Sequence, residues 1–414
     1  MTDSIFSHTF ENGLVLAAHR MPWVRSAAFT LLVPAGCAYE PAERAGLAGL
    51  LCEMVQRGAG PRDNRQLVLD LDNLGVERGE FVSAAHTGFS GTAPAENLEA
   101  ALEIHADVLR RPHMPADQLE PARAVAFHEL RGVEDEPAQK TVQTLRRRHY
   151  AEPWGRSSQG DLPGLRAAGL DDLQSFYRQR YRPDGTVLGV AGLFDFDRLR
   201  DVVGRLLGDW PRGEAQTVEE QPPTARYEHL PYDSNQTHIG IAYHTVPYSH
   251  PDYFQAWATI GVLSGGMSAR LFTEVREKRG LCYSVHASYH TLRDRAGVFC
   301  HAGTTAERAQ ETLDVTLDEL CKLKHGVRTG ELDRLKSRIK SGLIMQQESS
   351  TARGGAVARD WYHLGRVRPV EELQQRVDEL TCDSINAYLA EAPPTDFTVV
   401  TLGPEPLEVP SGVS

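Results

Sequence analysis

Arg276 and Tyr283 are the residues of this chain whose types and spacing best suit chemistry on a ligand. They lie in the stretch Arg276-Glu-Lys-Arg-Gly280-Leu-Cys-Tyr283. Both side chains donate hydrogen bonds, the guanidinium through a planar fork of N–H groups and the phenol through its O–H. Placed on either side of a turn, the two could point into one space. The ordinary alternative is a surface arginine and a half-buried tyrosine in a helix–turn–strand unit.

The elements around this pair follow from the local pattern. Apolar Leu271, Phe272 and Val275 have helical spacing, which predicts a helix over 271–278. Gly280 then ends that helix, because glycine adopts the left-handed conformation that a C-terminal cap needs. From Tyr283 onwards, apolar and polar residues alternate with the period of a strand. Arg276 is therefore expected near a helix end and Tyr283 at the start of the next strand.

The composition is that of a globular protein with two large domains or more. The chain has 414 residues, of which 41% are hydrophobic and 24% charged. Its formal net charge of −12 argues against nucleic acid or an anionic membrane as a partner. No apolar run approaches the ~20 residues of a membrane span, and the first residues lack a signal-peptide pattern. Six scattered cysteines without a C-x-x-C pair favour a reducing cytoplasm.

The order of predicted elements occurs twice along the chain. The first half predicts a hairpin at Asn12-Gly13, strands at 26–34, 81–87, 89–93 and 186–192, and helices at 45–57, 65–74, 96–109, 118–131 and 170–181. The second half repeats this order with strands at 237–247 and 396–403, a strand from 283, and helices at 253–263, 271–278, 307–323, 329–347 and 385–389. A repeat unit this long indicates a domain duplication rather than a solenoid.

The pattern predicts an α+β fold with two tandem homologous domains. We expect an N-terminal domain at 1–212 and a C-terminal domain at 229–414. The intervening segment 213–228 is polar and acidic and contains Pro222-Pro223, which predicts an exposed linker.

The stretch with Arg276 and Tyr283, together with Leu263-Ser-Gly-Gly-Met267 before it, resembles the C-terminal half of pitrilysin-type (M16) zinc metallopeptidases. The resemblance spans about residues 5–405 and includes the duplication. It implies that each domain is a mixed, mostly antiparallel sheet with helices packed on one face. In that family an arginine and a tyrosine with this spacing contact the substrate beside the zinc. The resemblance therefore implies a substrate-binding role for Arg276 and Tyr283.

The same resemblance implies a zinc motif, H-x-x-E-H, on the first apolar helix of the N-terminal half. Two histidines four residues apart share a helix face and can hold zinc, and the glutamate activates the bound water. Here Gly49 and Glu53 stand at the histidine positions and Cys52 at the glutamate position. Only the third ligand keeps its type, as Glu129. The motif is degenerate, and we expect this chain to bind no metal or other cofactor and to be inactive alone.

Some bacterial members of the family are heterodimers in which one subunit has the zinc motif and the other has the Arg/Tyr pair. This chain resembles the second kind, which implies a partner subunit that bears H-x-x-E-H and the zinc. The two subunits would enclose a chamber and cleave unfolded peptides. The predicted strand that begins with Phe81, Val82, Ser83 and Ala84 resembles the family's substrate-pairing edge strand, although an ordinary sheet edge is an equal alternative.

Two functions from other classes stay open. The first is a catalytically silent scaffold, like the family members that became core subunits of a respiratory complex. The second is a peptide-binding protein without hydrolysis, as a homodimer. A co-purified partner with H-x-x-E-H favours the subunit hypothesis, and a homodimer favours either alternative.

Overall fold

The computed structural model describes residues 4–213, 218–223 and 225–409. Its strands are β1 Ile5–Thr9, β2 Val15–Arg20, β3 Ser26–Val33, β4 Glu77–Val82, β5 Thr87–Pro94, β6 Val187–Gly192, β7 Tyr227–Pro231, β8 Gln236–Thr245, β9 Cys282–Thr291, β10 Ala296–Thr305 and β11 Thr398–Gly403. Its α-helices are α1 Leu47–Met54, α2 Asn64–Asn73, α3 Leu98–Arg110, α4 Leu119–Glu134, α5 Pro137–His149, α6 Leu162–Ala167, α7 Leu170–Arg180, α8 Phe196–Leu207, α9 Tyr253–Ser264, α10 Ala309–Cys321, α11 Thr329–Gln346, α12 Ser350–Leu364, α13 Val370–Glu379 and α14 Cys382–Glu391. In the described part of the chain, no helix is both long and apolar enough to cross a bilayer.

The chain divides into two compact units that do not follow its two halves. Unit 1 contains residues 4–132, 156–219 and 344–369 as far as they are described, and unit 2 contains 133–155, 220–343 and 370–409. The expected domains, 1–212 and 229–414, therefore each give one internal segment to the other unit. Residues 214–217 and 224 of the expected linker lie outside the described residues, and its last two residues begin β7.

Unit 1 is built on a six-stranded sheet in the order β1-β2-β6-β3-β5-β4. All neighbours are antiparallel except β2 and β6, which are parallel. Alternate residues of β3, such as Phe29 and Leu31, enter the main core together with apolar residues of α1, α3 and α7. Because side chains alternate across a strand, one face of this sheet meets that layer of helices.

Unit 2 is built on a five-stranded sheet in the order β7-β11-β8-β10-β9. Only β7 and β11 are parallel neighbours. Ile239, Ile241 and Tyr243 of β8 pack with apolar residues of α9, α10, α11 and α14. Both units thus confirm the predicted α+β fold with mixed, mostly antiparallel sheets.

The second face of each sheet is also covered by a helix, whereas helices on one face only were expected. In unit 1, α12 lies over Gly189 of β6, where an added Cβ would meet the Ala358 nitrogen at 2.7 Å. In unit 2, α5 lies over Gly240 of β8, where it would meet Thr141 and Leu145 side chains at 3.1 Å. Small residues on this face let a helix approach the strands closely. Each covering helix comes from the opposite half of the sequence, which explains the interleaved units.

Candidate functional site

The helix that corresponds to the zinc motif, α1, is held at its start by a buried carboxylate. Gly46 precedes the helix with a φ of 99°, a left-handed conformation that suits glycine. The Glu40 carboxylate accepts hydrogen bonds from the backbone N–H groups of Gly46 (2.9 Å) and Ala48 (2.6 Å). Burial raises the pKa of Glu40 to about 7, although these two bonds favour its charged form. The helix therefore keeps a well-anchored N-terminus despite its altered motif.

Two of the three motif positions on α1 offer nothing to a metal. Gly49 has no side chain, and a Cβ there would lie 3.2 Å from the carbonyl oxygen of Ser158. Cys52 is buried, and burial is the main cause of a thiol pKa raised far above its ordinary value. The neighbouring carboxylates of Glu80 and Glu53 raise that pKa further. A thiol that stays protonated is a poor metal ligand and a poor base.

The third position, Glu53, is occupied by an ion pair. Its Oε1 atom lies 2.6 Å from Nη2 of Arg57, and Nη1 of Arg57 donates to Oε1 of Gln118 at 2.9 Å. The pair holds an oxygen of the Glu53 carboxylate against a guanidinium, whereas a metal ligand needs an oxygen that is free to bind the metal.

Glu129 lies on α4, as the sequence predicted, and is electrostatically coupled to α1. Partial burial raises the pKa of its carboxyl, and repulsion from Glu53 raises it further. The structure therefore brings Cys52, Glu53 and Glu129 into one region of unit 1. The set lacks imidazole, and its members are a protonated thiol, a paired carboxylate and one further carboxylate. These residues do not fit a zinc site. Across the described residues, no group of three or more histidine, cysteine, aspartate and glutamate side chains is placed to hold a metal ion.

The expected substrate-pairing strand is shorter than predicted. β4 lies at the edge of the unit 1 sheet and ends at Val82, so Phe81 and Val82 are on the edge strand. Ser83 and Ala84 instead form the turn to β5, and their carbonyl oxygens accept the N–H groups of Cys37 and Ala38, both at 3.0 Å. Placing these two residues on the edge strand was wrong, because their carbonyl groups are already used by the chain itself.

In unit 2, the helix that carries Arg276 is a π-helix over Phe272–Glu277. The N–H of Lys278 reaches the carbonyl of Thr273, five residues earlier, at 3.0 Å. Such widened turns are rare and occur frequently at functional sites. Gly280 follows with a φ of 57°, which confirms its predicted left-handed cap.

Tyr283 occupies a second backbone irregularity, a bulge in β9. Cys282 pairs with Thr304 and Ser284 pairs with Gly303, so Tyr283 is the extra residue between two register positions. A bulge re-aims the side chain of its extra residue. Tyr283 accordingly leaves the alternation that we predicted and is 84% exposed, whereas Val285 and Ala287 on the same strand pack against the core.

The two side chains meet outside the core. The guanidinium carbon of Arg276 lies 5.2 Å from the centre of the Tyr283 ring and 4.9 Å from that of Phe272. These distances are typical of cation–π contacts. Among the described residues, neither the Arg276 guanidinium nor the Tyr283 hydroxyl has a hydrogen-bond or ion-pair partner. The sequence predicted the Arg276–Tyr283 pair, but it gave no sign of Phe272 as a third member.

Comparison with known proteins gives the family context of this geometry. Two family models match, "Insulinase (Peptidase family M16)" over residues 15–159 and "Peptidase M16 inactive domain" over residues 168–339, together well over half of the chain. An uncharacterized zinc protease of Mycobacterium tuberculosis is 26% identical, over 96% of this chain and 92% of its own. An uncharacterized zinc protease of Bacillus subtilis is 24% identical, over 96% of this chain and 98% of its own. The crystal structure of a peptidase M16 inactive domain from Pseudomonas fluorescens has the same fold, with a TM-score of 0.89, 22% identity, and coverage of 99% of this chain and 100% of that one.

Proposed function

Because this chain belongs to the peptidase M16 family, we propose that it is the Arg/Tyr-bearing subunit of a heterodimeric zinc metalloendopeptidase. In this proposal the partner subunit bears H-x-x-E-H and supplies the zinc and the general base. This chain supplies Arg276 and Tyr283 for the binding and cleavage of unfolded peptides. Six cysteines without a disulfide among them support a cytoplasmic location.

The observation that carries the proposal is the pair of a half-buried Arg276 and an exposed Tyr283, whose hydrogen-bond donors have no partner among the described residues. A purely structural arginine is normally paired or hydrogen-bonded, and a structural tyrosine buries its ring. Here Arg276 lies in a π-turn and Tyr283 in a β-bulge, and the Tyr283 side chain is exposed. Backbone irregularities of this kind persist where a side chain has to be aimed.

The proposed chemistry uses these donors in two ways. Tyr283 donates its O–H to the oxygen of the scissile carbonyl as negative charge develops there. Arg276 donates to a neighbouring carbonyl of the peptide backbone. A preorganised donor of the first kind contributes about 3–4 kcal/mol to the stabilisation of the transition state in well-studied hydrolases.

The altered motif in unit 1 explains why a partner is required. Gly49, Cys52 and the Glu53–Arg57 pair leave neither a metal ligand set nor a base with an available charge. A base for the attacking water must therefore come from another chain. Phe81, 44% exposed on the edge strand β4, supports a further contact with an extended peptide.

Reconstitution tests the proposal directly. This chain is mixed with an M16 subunit of the same organism that carries an intact H-x-x-E-H motif, and cleavage of a quenched fluorescent peptide is followed. We expect activity only in the mixture. Tyr283→Phe should lower kcat at least tenfold with a smaller change in KM, because a donor to a developing oxyanion acts mainly in the transition state. Arg276→Ala should also raise KM, because Arg276 holds the ground-state peptide as well.

Tyr227→Phe is the matched control. Tyr227 is an exposed tyrosine of the same unit whose hydroxyl donates to the carbonyl of Leu407 at 3.0 Å. This variant should keep full turnover. A mixture in which Tyr283→Phe turns over like wild type, with only a lower melting temperature, would contradict the proposal and assign the pair a structural role.

Co-purification separates the proposal from its alternatives. A chain that is isolated with a zinc-bearing M16 subunit supports the heterodimer. A chain isolated as a homodimer that binds peptides without cleaving them favours the peptide-binding alternative, and one that binds no peptide favours the silent scaffold.

A further inference from the structure

Phe272 and Tyr283 each place an aromatic ring beside the Arg276 guanidinium. The guanidinium carbon is 4.9 Å from the centre of the Phe272 ring and 5.2 Å from that of Tyr283. The Phe272 ring belongs to the π-helix and the Tyr283 ring to the bulge of β9, so the two contacts come from different elements. An arginine with a free side chain loses considerable rotamer entropy when it binds a ligand. The two aromatic contacts reduce that loss before the ligand arrives.

We propose that Phe272 is a positioning residue that holds the Arg276 guanidinium ready for a peptide carbonyl. This inference rests on the proposed function for its consequence in catalysis. The aromatic contact itself is independent of that function. The ring contacts the guanidinium without using its N–H groups, which therefore stay available to a substrate carbonyl.

The backbone fixes Phe272 in this place. Its neighbour Leu271 and the next turn's Val275 are both fully buried, which anchors the π-helix to the core of unit 2. Phe272 itself is only partly buried, so part of its side chain is at the surface while the helix around it is held to the core. The widened turn, closed by the bond from Lys278 to Thr273, lies between Phe272 and the end of the helix.

Glu274, a carboxylate two residues before Arg276, is already paired with other cations. Glu274 accepts from Nζ of Lys278 at 2.7 Å and lies 3.1 Å from Nη1 of Arg279. Lys278 and Arg279, which follow Arg276 in the chain, thus form ion pairs with Glu274, which precedes it. Arg276 is left to its aromatic neighbours, which attract a cation without consuming its hydrogen-bond donors.

The first test uses the isolated chain and needs no activity. The Nε–Hε resonance of Arg276 is identified by its loss in Arg276→Lys, and its chemical shift is compared between wild type, Phe272→Leu and Phe272→Trp. We expect a ring-current shift in wild type that is reduced in Phe272→Leu and present in Phe272→Trp. Phe254→Leu, a loss of a partly buried aromatic ring elsewhere in the same core, is the matched control and should leave the resonance in place. An unchanged resonance in Phe272→Leu overturns the proposal.

The second test uses the reconstituted complex. Phe272→Leu should raise KM about two- to fivefold with a smaller effect on kcat, the range expected when one exposed cation–π contact is lost. Phe272→Trp keeps an aromatic ring at this position and should have the wild-type KM. In the Arg276→Ala background, Phe272→Leu should have no further effect, because it acts through Arg276. Additive effects in that double variant overturn the positioning role. If the complex is inactive, the proposed function fails, and the resonance test alone decides whether Phe272 holds Arg276.

Discussion

Nη2 of Arg57 lies 2.6 Å from Oε1 of Glu53, four residues earlier in the chain. The sequence comparison with M16 metallopeptidases predicts that Glu53 takes the position of their second zinc-binding histidine, and in that prediction the contact puts a guanidinium beside a metal-ligand position. The Arg57 side chain is 13% exposed and that of Glu53 39%, so solvent reaches the carboxylate and screens part of the attraction. The consequence of the pair is electrostatic, because a positive charge beside the site disfavours a metal cation.

The isolated chain is therefore expected to hold no stoichiometric zinc. Protein purified without chelator and dialysed against metal-free buffer should contain well below one zinc per chain by mass spectrometry of the metal. The reason is the ligand set, since a protonated Cys52 thiol, a paired Glu53 and Glu129 do not make a tetrahedral site. One zinc that survives dialysis would show that this reading of α1 is wrong.

The variant Gly49→His/Cys52→Glu/Glu53→His is the positive control for that measurement. It rebuilds two histidines four residues apart, with Glu129 as third ligand, and should take up zinc. The gain should come with a lower melting temperature, because a Cβ at position 49 lies 3.2 Å from the Ser158 carbonyl and position 52 is buried. If the variant folds and takes up no zinc, α1 and α4 do not present these positions to one space.

Gly280 and Gly342 should respond in opposite directions to replacement by alanine. Gly280 has a φ of 57°, and the nearest atom to an added Cβ is Nη1 of Arg308 at 4.0 Å, so the cost is backbone strain rather than a clash. Gly280→Ala should lower the free energy of unfolding by about 1–2 kcal/mol. Gly342 lies within α11, and apart from the backbone of that helix nothing lies within 4 Å of its Cβ position, so Gly342→Ala should raise the free energy of unfolding by up to about 1 kcal/mol. Denaturant unfolding of both variants measures this, and a neutral Gly280→Ala would contradict the left-handed cap.

Unit 2 should lose stability as the pH falls from about 6.5 to about 4. Burial lowers the pKa of His149 to about 3 and the pKa values of His290 and His301 to about 4. In this pH window the histidines of the unfolded chain, with pKa values of ~6.5, bind protons that those of the folded chain do not. The free energy of unfolding therefore decreases as the pH decreases. Below this pH window, the loss of stability levels off because the histidines of the folded chain are then protonated as well.

Urea unfolding at several pH values measures this loss. His290→Gln should flatten the pH dependence by on the order of 1–3 kcal/mol across the window. Its separate effect on the hydrogen bond to the Tyr150 hydroxyl is independent of that slope. His325→Gln, at an exposed position of the same unit, is the control and should keep the wild-type slope. An equal slope in His290→Gln would contradict the lowered pKa.

The elements with a strong apolar period could be predicted from the sequence. The helices at α9 and α11, the cap at Gly280 and the strand β8 all lie where their local patterns placed them. The covering helix α5 has no such pattern, because the residues that it buries, Thr141, Leu145 and His149, include only one aliphatic side chain. For α12 the buried residues mix small ones, such as Gly354 and Ala358, with the charged Arg353 and Asp360, which gives no apolar stripe. Both helices are recognisable only once the sheets they cover are known.

The directions in which the Arg276 and Tyr283 side chains point also depend on more than the local sequence. The spacing of Arg276 and Tyr283 indicated that they could point into one space, and in the structure the guanidinium carbon lies 5.2 Å from the centre of the tyrosine ring. The π-turn and the bulge that bring them together break the helical and strand periods on which the prediction relied. The ion pair between Glu53 and Arg57 was not predicted either, although the two residues have the i, i+4 spacing that would permit it.

The crossing of α5 and α12 between the two halves bears on how such a chain arose. A protein of one repeat would carry the counterpart of this helix without using it on its own sheet, whose small-residue face would be open to water. Two copies that exchange the helix bury both faces, so the single-repeat ancestor implied by this arrangement is a domain-swapped homodimer. Joining the copies through a segment like 213–228 turns that association into an intramolecular one, independent of protein concentration.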